Sequence, residues 1–304
     1  MASEFVHGTW VILKREYAQR VHSRSFIVST ILVPLIPVGI IAAAIWMSRS
    51  ASHAPPMQVP PSAAASHVAG STAGAAFMTI ILLYVMFGSL FTYGAIVMRA
   101  VIEEKQSRVV EVLLCFASPE ELMTGKLLGV GAVALTQVLI WIALAIGALA
   151  FSPLLRVAAA AMGLGPSAVV YFVVFDALGY LLYSAMFCAI WAAFNSPYEA
   201  QQWVIFLAIP LAIIGMLIST LLTRPGAPSV VIASIVPFTS PALMYARMLL
   251  TRPPASQIAL SIGLLAVSIV ILVRVCAGIY RVGILMYGKK PTAGEIIRWL
   301  RYPS

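Results

Sequence analysis

Apolar residues run along this chain in long blocks, unlike the alternation of a half-buried strand or the single stripe of a surface helix. A bilayer core needs about 20 such residues per helix. Six blocks reach that length: Phe26–Met47, Ala75–Met98, Leu127–Phe151, Ala168–Phe194, Trp203–Leu222 and Ile258–Tyr280. They predict an all-α integral membrane protein with six transmembrane helices. The first block is too long for a signal-peptide core and has no small-residue cleavage site before Trp46, so it reads as a retained helix. Pro34 and Pro37 are expected to kink it, as spanning helices tolerate when neighbours re-satisfy the freed carbonyls.

A further apolar stretch, about Val230–Leu250, is interrupted by Pro237 and Pro241. Two half-helices dipping in from the outer face, a re-entrant hairpin within residues 223–255, explain it better than a seventh crossing or a plain outer loop. Residues 48–74, rich in Ala, Ser and Pro, predict a short flexible outer loop. In residues 1–24, Phe5, Trp10, Leu13 and Tyr17 recur at helical spacing, with Lys14, Arg15, Arg20 and Arg24 largely elsewhere. That pattern predicts an amphipathic helix in the headgroup layer; a solvated leader is the plainer alternative.

Composition agrees: of 304 residues 62% are hydrophobic and 10% charged, too much oil for a soluble globule to bury. The net charge of +9 would suggest nucleic acid in a soluble chain, but here the basic residues sort by topology. With both termini in the cytoplasm, thirteen of the nineteen Lys and Arg lie inside, in residues 1–24, 99–126 and 281–304. Only Arg49, Arg156, Arg224, Arg247 and Arg252 lie outside, and Arg274 falls within the last span. The positive-inside rule favours this orientation, so no nucleic-acid partner is expected and membrane lipid takes that place. Cys115, Cys188 and Cys276 lie far apart in sequence and indicate neither a metal cluster nor a disulfide framework.

The segment 99–126 carries the most information, reading RAVIEEKQSRVVEVLLCFASPEELMTGK. Glu104 and Arg108 stand at i,i+4 and Arg108 and Glu111 at i,i+3, so they can pair along one helix face beside the apolar Val109, Val110, Val112, Leu113 and Leu114. Ser118-Pro119-Glu120-Glu121 predicts a new helix, with Ser118 as N-cap and Pro119 in the first turn. Such a segment could dock a soluble partner, or be ordinary solvated surface. Gly125 and Gly129 form a GxxxG seam for a second copy or for packing within one subunit.

EEKxxRxxExLL followed by SPxELMxGKLLG resembles the cytoplasmic loop of ABC-2-type permeases, specifically the NatB-like branch described as sodium- or multidrug-export permeases. The resemblance extends to Leu178–Tyr183, Asn195–Gln202, Pro237–Pro241 and Arg281–Lys289, and covers most of residues 10–302. It implies one ABC-2-type transmembrane domain, with 99–126 as a coupling loop carrying a coupling helix between spans two and three, and 282–304 as a cytoplasmic tail. It also implies a bacterial plasma-membrane location, two copies of a separate ABC ATPase, and a second permease copy as homodimer or close paralogue. Glu103, Glu104, Lys105, Arg108 and Glu111 would couple to the ATPase. ATP and magnesium would bind that partner, with no cofactor or metal in this chain. One departure is plain: relatives of this branch commonly carry a large extracellular domain where 48–74 stands here.

Asp176 is the one acid inside a predicted span, about nine residues or ~13 Å from its outer end. An ionisable group there costs about 2.5–3.5 kcal/mol on insertion scales. It is either a cation- or proton-linked site or a protonated or hydrogen-bonded acid of the bundle. Tyr180 and Tyr183 stand on the same span and, with Asp176, are candidates to line a translocation pathway or simply to pack. Pro237, Phe238 and Pro241, with Arg247 nearby, are the candidate outer gate.

Other motifs fail on chemistry. Gly283–Lys290 reads GxxxxGKK but lacks the magnesium-binding Ser/Thr. His7, His22, His53 and His67 have no ligand spacing, and there is no GxSxG. The expected function is the permease of an ATP-driven exporter, without a catalytic site of its own. The alternative is an independent membrane protein, either an ion-coupled carrier using Asp176 or an intramembrane enzyme; carriers often show paired repeats, which this sequence lacks.

Overall fold

The computed structural model describes residues 2–35 apart from 25 and 33, and residues 63–106, 118–153, 156, 159–160, 164–193 and 202–285. Every regular element among them is helical. They are α1 (Ala2–Val21), α2 (Ala63–Gln106), α3 (Pro119–Phe151), α4 (Pro166–Ala193), α5 (Ile209–Thr223), α6 (Pro228–Ile235), α7 (Ser240–Leu250) and α8 (Ala255–Leu285). A short 3-10 turn, Ile205–Ala208, leads into α5.

Five stretches among the described residues are long and apolar enough to cross a membrane: Ala76–Val101, Glu121–Phe151, Pro166–Ile190, Gln202–Thr223 and Ala255–Cys276. They coincide with predicted spans two to six. Of the predicted first span, the beginning is described and helical over 26–32 and 34–35; the remainder lies outside the described residues. Residues 63–74, expected to belong to a loop, are instead the first turns of α2. Their Ala-rich composition, free of proline, favours helix and joins without a break to the apolar block that follows.

The Pro237–Pro241 interruption does what proline chemistry requires. α6 ends at Ile235, residues 236–239 turn, and α7 begins at Ser240 with Pro241 in its first turn, where a missing N–H costs nothing. The result is a short helical hairpin between α5 and α8.

α4 is the centre of the bundle and packs against α2, α3, α7 and α8. Phe175, Leu182, Tyr183, Ala185 and Cys188 on it are fully buried. The outward side chains are apolar as well: Leu139, Leu144, Ile146 and Phe151 on α3, and Leu260, Val267, Val270 and Ile271 on α8. Lipid is as apolar as leucine, so burial alone does not hold such helices together; close packing at small residues and hydrogen bonds do.

The GxxxG seam shows this. A methyl added to Gly125 would lie 2.8 Å from Ile12 Cβ, and one added to Gly129 would lie 2.8 Å from Glu16 Cβ and 3.0 Å from the Leu13 carbonyl oxygen. A methyl on Gly8 would in turn meet Glu121 at 3.3 Å. Gly8, Ile12 and Glu16 thus advance in four-residue steps beside Glu121, Gly125 and Gly129, so α1 runs parallel to α3 and in register with it. Further contacts tie the N-terminal segment to α3: Tyr17 meets Thr136 at 3.2 Å, and beyond the end of α1 the Trp141 indole donates to the Thr30 carbonyl at 3.0 Å. Residues 2–21 are helical, but the helix docks lengthwise on span three, which differs from the expected amphipathic helix lying in the headgroup layer. Glu16, on its inner side, is buried and paired with Arg20 at 3.1 Å.

Candidate functional site: a polar seam and the hairpin beside it

Asp176 sits on α4 near the middle of its span and is 1% exposed. Neither carboxylate oxygen has a hydrogen-bond partner. Ser89 of α2 is also buried, next to Leu90, which packs on Gly179 of α4. Tyr93, one turn further along α2, is buried as well. The Tyr93 hydroxyl donates to Gln137 Oε1 of α3, and Gln137 Nε2 donates to Ser29 Oγ at 3.2 Å. A polar seam therefore crosses the bundle from α2 through α3 to the start of the first predicted span. Asp176 was legible in the sequence as an acid in an apolar block. Ser89, Tyr93 and Gln137 were missed, although a glutamine in mid-span is a signal of the same kind.

Tyr180 and Tyr183 point away from that seam into tight packing. The Tyr180 hydroxyl donates to the Leu127 carbonyl at 2.9 Å and the Tyr183 hydroxyl to the Phe238 carbonyl at 2.8 Å. Asp176 and these two tyrosines share a helix but do not converge on one cavity. Gly179 lets the hairpin close on α4: a methyl there would meet Pro241 Cβ at 3.0 Å and the Leu90 side chain at 3.2 Å. Phe172 packs edge-on against Tyr245 with ring centroids 5.3 Å apart. α7 therefore runs antiparallel to α4, past the level of Asp176, and the hairpin turn reaches Tyr183.

Arg247 was expected among the outer-face charges with Arg224 and Arg252. Those two are exposed, whereas Arg247 is 3% exposed. Its Nε donates to the Pro225 carbonyl at 3.1 Å, one Nη to Ser234 Oγ at 2.7 Å and the other to Gln257 Oε1 at 3.0 Å. Each acceptor belongs to a different part: the turn after α5, then α6, then α8. Ser240 and Ser261 add a hydroxyl contact at 2.7 Å, and Ser261 donates to the Ser234 carbonyl at 3.2 Å. Pro237, Phe238 and Pro241 form the hairpin bend, and Arg247 ties its base.

At the other end of the bundle, Ser118 caps α3 as its sequence predicts. Its Oγ accepts from the Glu121 amide at 3.3 Å, while the Glu121 carboxylate accepts from the Ser118 amide at 2.7 Å, a reciprocal capping box. Lys126, counted from the sequence as a loop charge, is buried and donates to the Ala100 carbonyl at 3.3 Å, joining α3 to α2. Glu103, Glu104 and Lys105 fall on the last turn of α2. Arg108 and Glu111 lie outside the described residues, so the predicted pairing face spans that boundary.

Residues 66–275, which contain Asp176, Tyr93 and Gln137, the hairpin and nearly all of the five spans, match the family of ABC-2 family transporter proteins. The chain belongs to the ABC-2 transporter family. It is therefore a multi-pass membrane protein of a family of ABC-transporter membrane components. An uncharacterized protein of Methanocaldococcus jannaschii is 35% identical to it over 221 residues, 72% of this chain and 52% of that relative. The uncharacterized protein YhaP of Bacillus subtilis is 30% identical over 239 residues, 76% of this chain and 56% of YhaP. This ABC-2 chain spans about half the length of the curated relatives it matches.

Proposed function

We propose that this chain is the permease subunit of an ATP-binding-cassette exporter of the NatB-like branch, moving substrate out of the cell with energy from a separate ATPase. The family match across residues 66–275 carries the reading. In it, two permease copies, identical or closely paralogous, bind two ATPase copies, and ATP and magnesium reside in the ATPases. The assembly sits in a bacterial plasma membrane with both termini cytoplasmic. Glu103, Glu104, Lys105, Arg108 and Glu111 receive the ATPase stroke where α2 ends and the chain returns toward α3. Asp176 on the central helix flanks the substrate path, Tyr180 and Tyr183 brace that helix against α3 and the hairpin, and the hairpin at Pro237, Phe238 and Pro241, tied by Arg247, is the outer gate.

The mechanism follows from the packing. α2 is one continuous helix of 44 residues from Ala63 through the span to Gln106, so a push on Glu103–Lys105 travels along it to Ser89 and Leu90, beside α4 and the hairpin. Gly179, Leu90 and Pro241 meet there, and a displacement of α2 transmits to the gate.

Pull-down of the tagged permease followed by reconstitution with its co-purifying ATPase tests this. Candidate substrates are expected to stimulate hydrolysis by the pair; transport that proceeds without ATP or any ATPase subunit overturns the reading. That outcome would favour the second reading, an ion-coupled carrier, which the unpartnered Asp176 carboxylate supports.

A further inference from the structure

We propose that Arg224 and Arg252, the two exposed arginines at the base of the hairpin, hold the headgroup of an anionic phospholipid. They stand at its entry and its exit: Arg224 directly follows α5, and Arg252 comes two residues after α7. Both also lie at the edge of the apolar slab. One span ends at Thr223 and the next begins at Ala255, so the two side chains are at headgroup level whichever way the chain is oriented in the bilayer. Both are exposed, and among the described residues neither forms an ion pair.

Arg247 brings the two together. Its Nε donates to the carbonyl of Pro225, the neighbour of Arg224, at 3.1 Å. Its own carbonyl accepts from the amide of Thr251, the neighbour of Arg252, at 2.7 Å and from the Thr251 hydroxyl at 3.1 Å. Each exposed arginine is therefore one residue away from an atom bonded to Arg247. The buried guanidinium adds its charge to the patch, because its acceptors, the Pro225 carbonyl, Ser234 Oγ and Gln257 Oε1, are all neutral. No acid cancels these charges: residues 201–294 contain no Asp or Glu, nor do residues 152–165, which join two spans at the same membrane face. Positive charge left unanswered at headgroup level suits an anion, and the paired donors of a guanidinium fit a phosphate. What lies below the arginines makes that phosphate a lipid's. Leu260, Leu264, Val267 and Ile271 recur at helical spacing on α8 and all are exposed. They form an apolar stripe that begins just inside the start of α8 and runs toward the middle of the span. Cationic donors above an unbroken apolar stripe match an anionic headgroup and its acyl chain. Because the arginines sit at the two ends of the hairpin segment, the bound lipid fastens from the membrane side the base that Arg247 ties from within.

The site belongs to this chain alone and stands whether or not an ATPase drives transport. Full-length protein with Leu260→Cys in a Cys115→Ser background, labelled with bimane and placed in phosphatidylcholine nanodiscs, reports lipid at the top of the stripe; Cys188 and Cys276 are buried and stay unlabelled. Nitroxide-bearing phosphatidylglycerol is compared as a quencher with nitroxide-bearing phosphatidylcholine at equal mole fraction. The anionic lipid is expected to quench more strongly, by a local enrichment of about fivefold for each arginine that holds it. Arg224→Gln and Arg252→Gln each reduce the excess and together abolish it. Arg156→Gln removes an exposed arginine beyond α3 at the same membrane face and leaves the excess in place. Quenching by phosphatidylcholine stays constant across the variants, which shows that the labelled helix keeps its place. Equal quenching by the two lipids, an excess that survives the double variant, or one that Arg156→Gln lowers as much overturns the proposal. Loss of the excess to inorganic phosphate, beyond that caused by chloride at equal ionic strength, would make a soluble anion the occupant and overturns it as well.

Discussion

Tyr183 donates its phenolic hydrogen to the Phe238 carbonyl at 2.8 Å, so the central helix holds the hairpin at its bend by a backbone atom. Tyr180, one turn away, makes the same kind of bond to Leu127 at 2.9 Å. The two bonds differ in what is left when they are lost. The Leu127 carbonyl is inside α3, where the helix ladder also serves it, whereas Phe238 lies in a turn. Tyr183→Phe is therefore expected to cost about 1 kcal/mol and to lower the thermal midpoint of the purified protein more than Tyr180→Phe does. Equal shifts would remove the hairpin anchor from the account.

The three bonds of Arg247 are expected to fail together. A lysine keeps the charge but cannot span acceptors on three separate elements, so Arg247→Lys should behave like Arg247→Met and cost on the order of 2 kcal/mol. The readout is local. Val230 on α6 is fully buried, and Val230→Cys should react with a maleimide only slowly. Faster labelling in the Arg247→Lys background is the expected result, and unchanged labelling would show that Arg247 does not hold the hairpin.

Gly129→Val should lever α1 off α3, because even its Cβ would meet Glu16 Cβ at 2.8 Å. Overpacking of this kind costs about 1–3 kcal/mol. Trypsin is expected to cut faster at Arg15 and Arg20, while the number of chains per particle by light scattering stays the same. A change in that number with no change in cleavage would assign the glycine seam to a subunit interface instead.

What the sequence revealed and what it hid divide along a physical line. Features written in local chemistry were legible: the capping box at Ser118 and Glu121, the break at Pro237 and Pro241, and the lone acid Asp176. Features written in distant contacts were not. Gly125 and Gly129 announce a close approach but cannot name α1 as the helix that makes it. Arg247 looks like a surface charge until Ser234 and Gln257 are brought to it, and Lys126 looks like a loop charge until α2 presents the Ala100 carbonyl. Residues 63–74 misled because their Ala and Ser content reads as linker, although alanine before an apolar block also extends a helix.

Charge reversal at Glu104 together with Glu111 should uncouple ATP hydrolysis from export and leave the permease in the membrane. Hydrolysis and transport measured on the reconstituted pair check this, and normal transport by the double variant would relieve these residues of the coupling role.

The orientation has its own test. Ser66→Cys should react with an impermeant thiol reagent added outside intact cells, and Ser107→Cys only after permeabilisation. The reverse pattern would invert the topology.

The in-step docking of α1 on α3 has a mechanical consequence. Sliding one helix part of a turn along the other would lift Ile12 and Glu16 out of the gaps left by Gly125 and Gly129. The pair thus behaves as a single stiff strut, toothed along its length. It can tilt or swivel as a body but resists being telescoped, so a torque applied near Ser118 arrives at Gln137 and Trp141 undiminished by slippage.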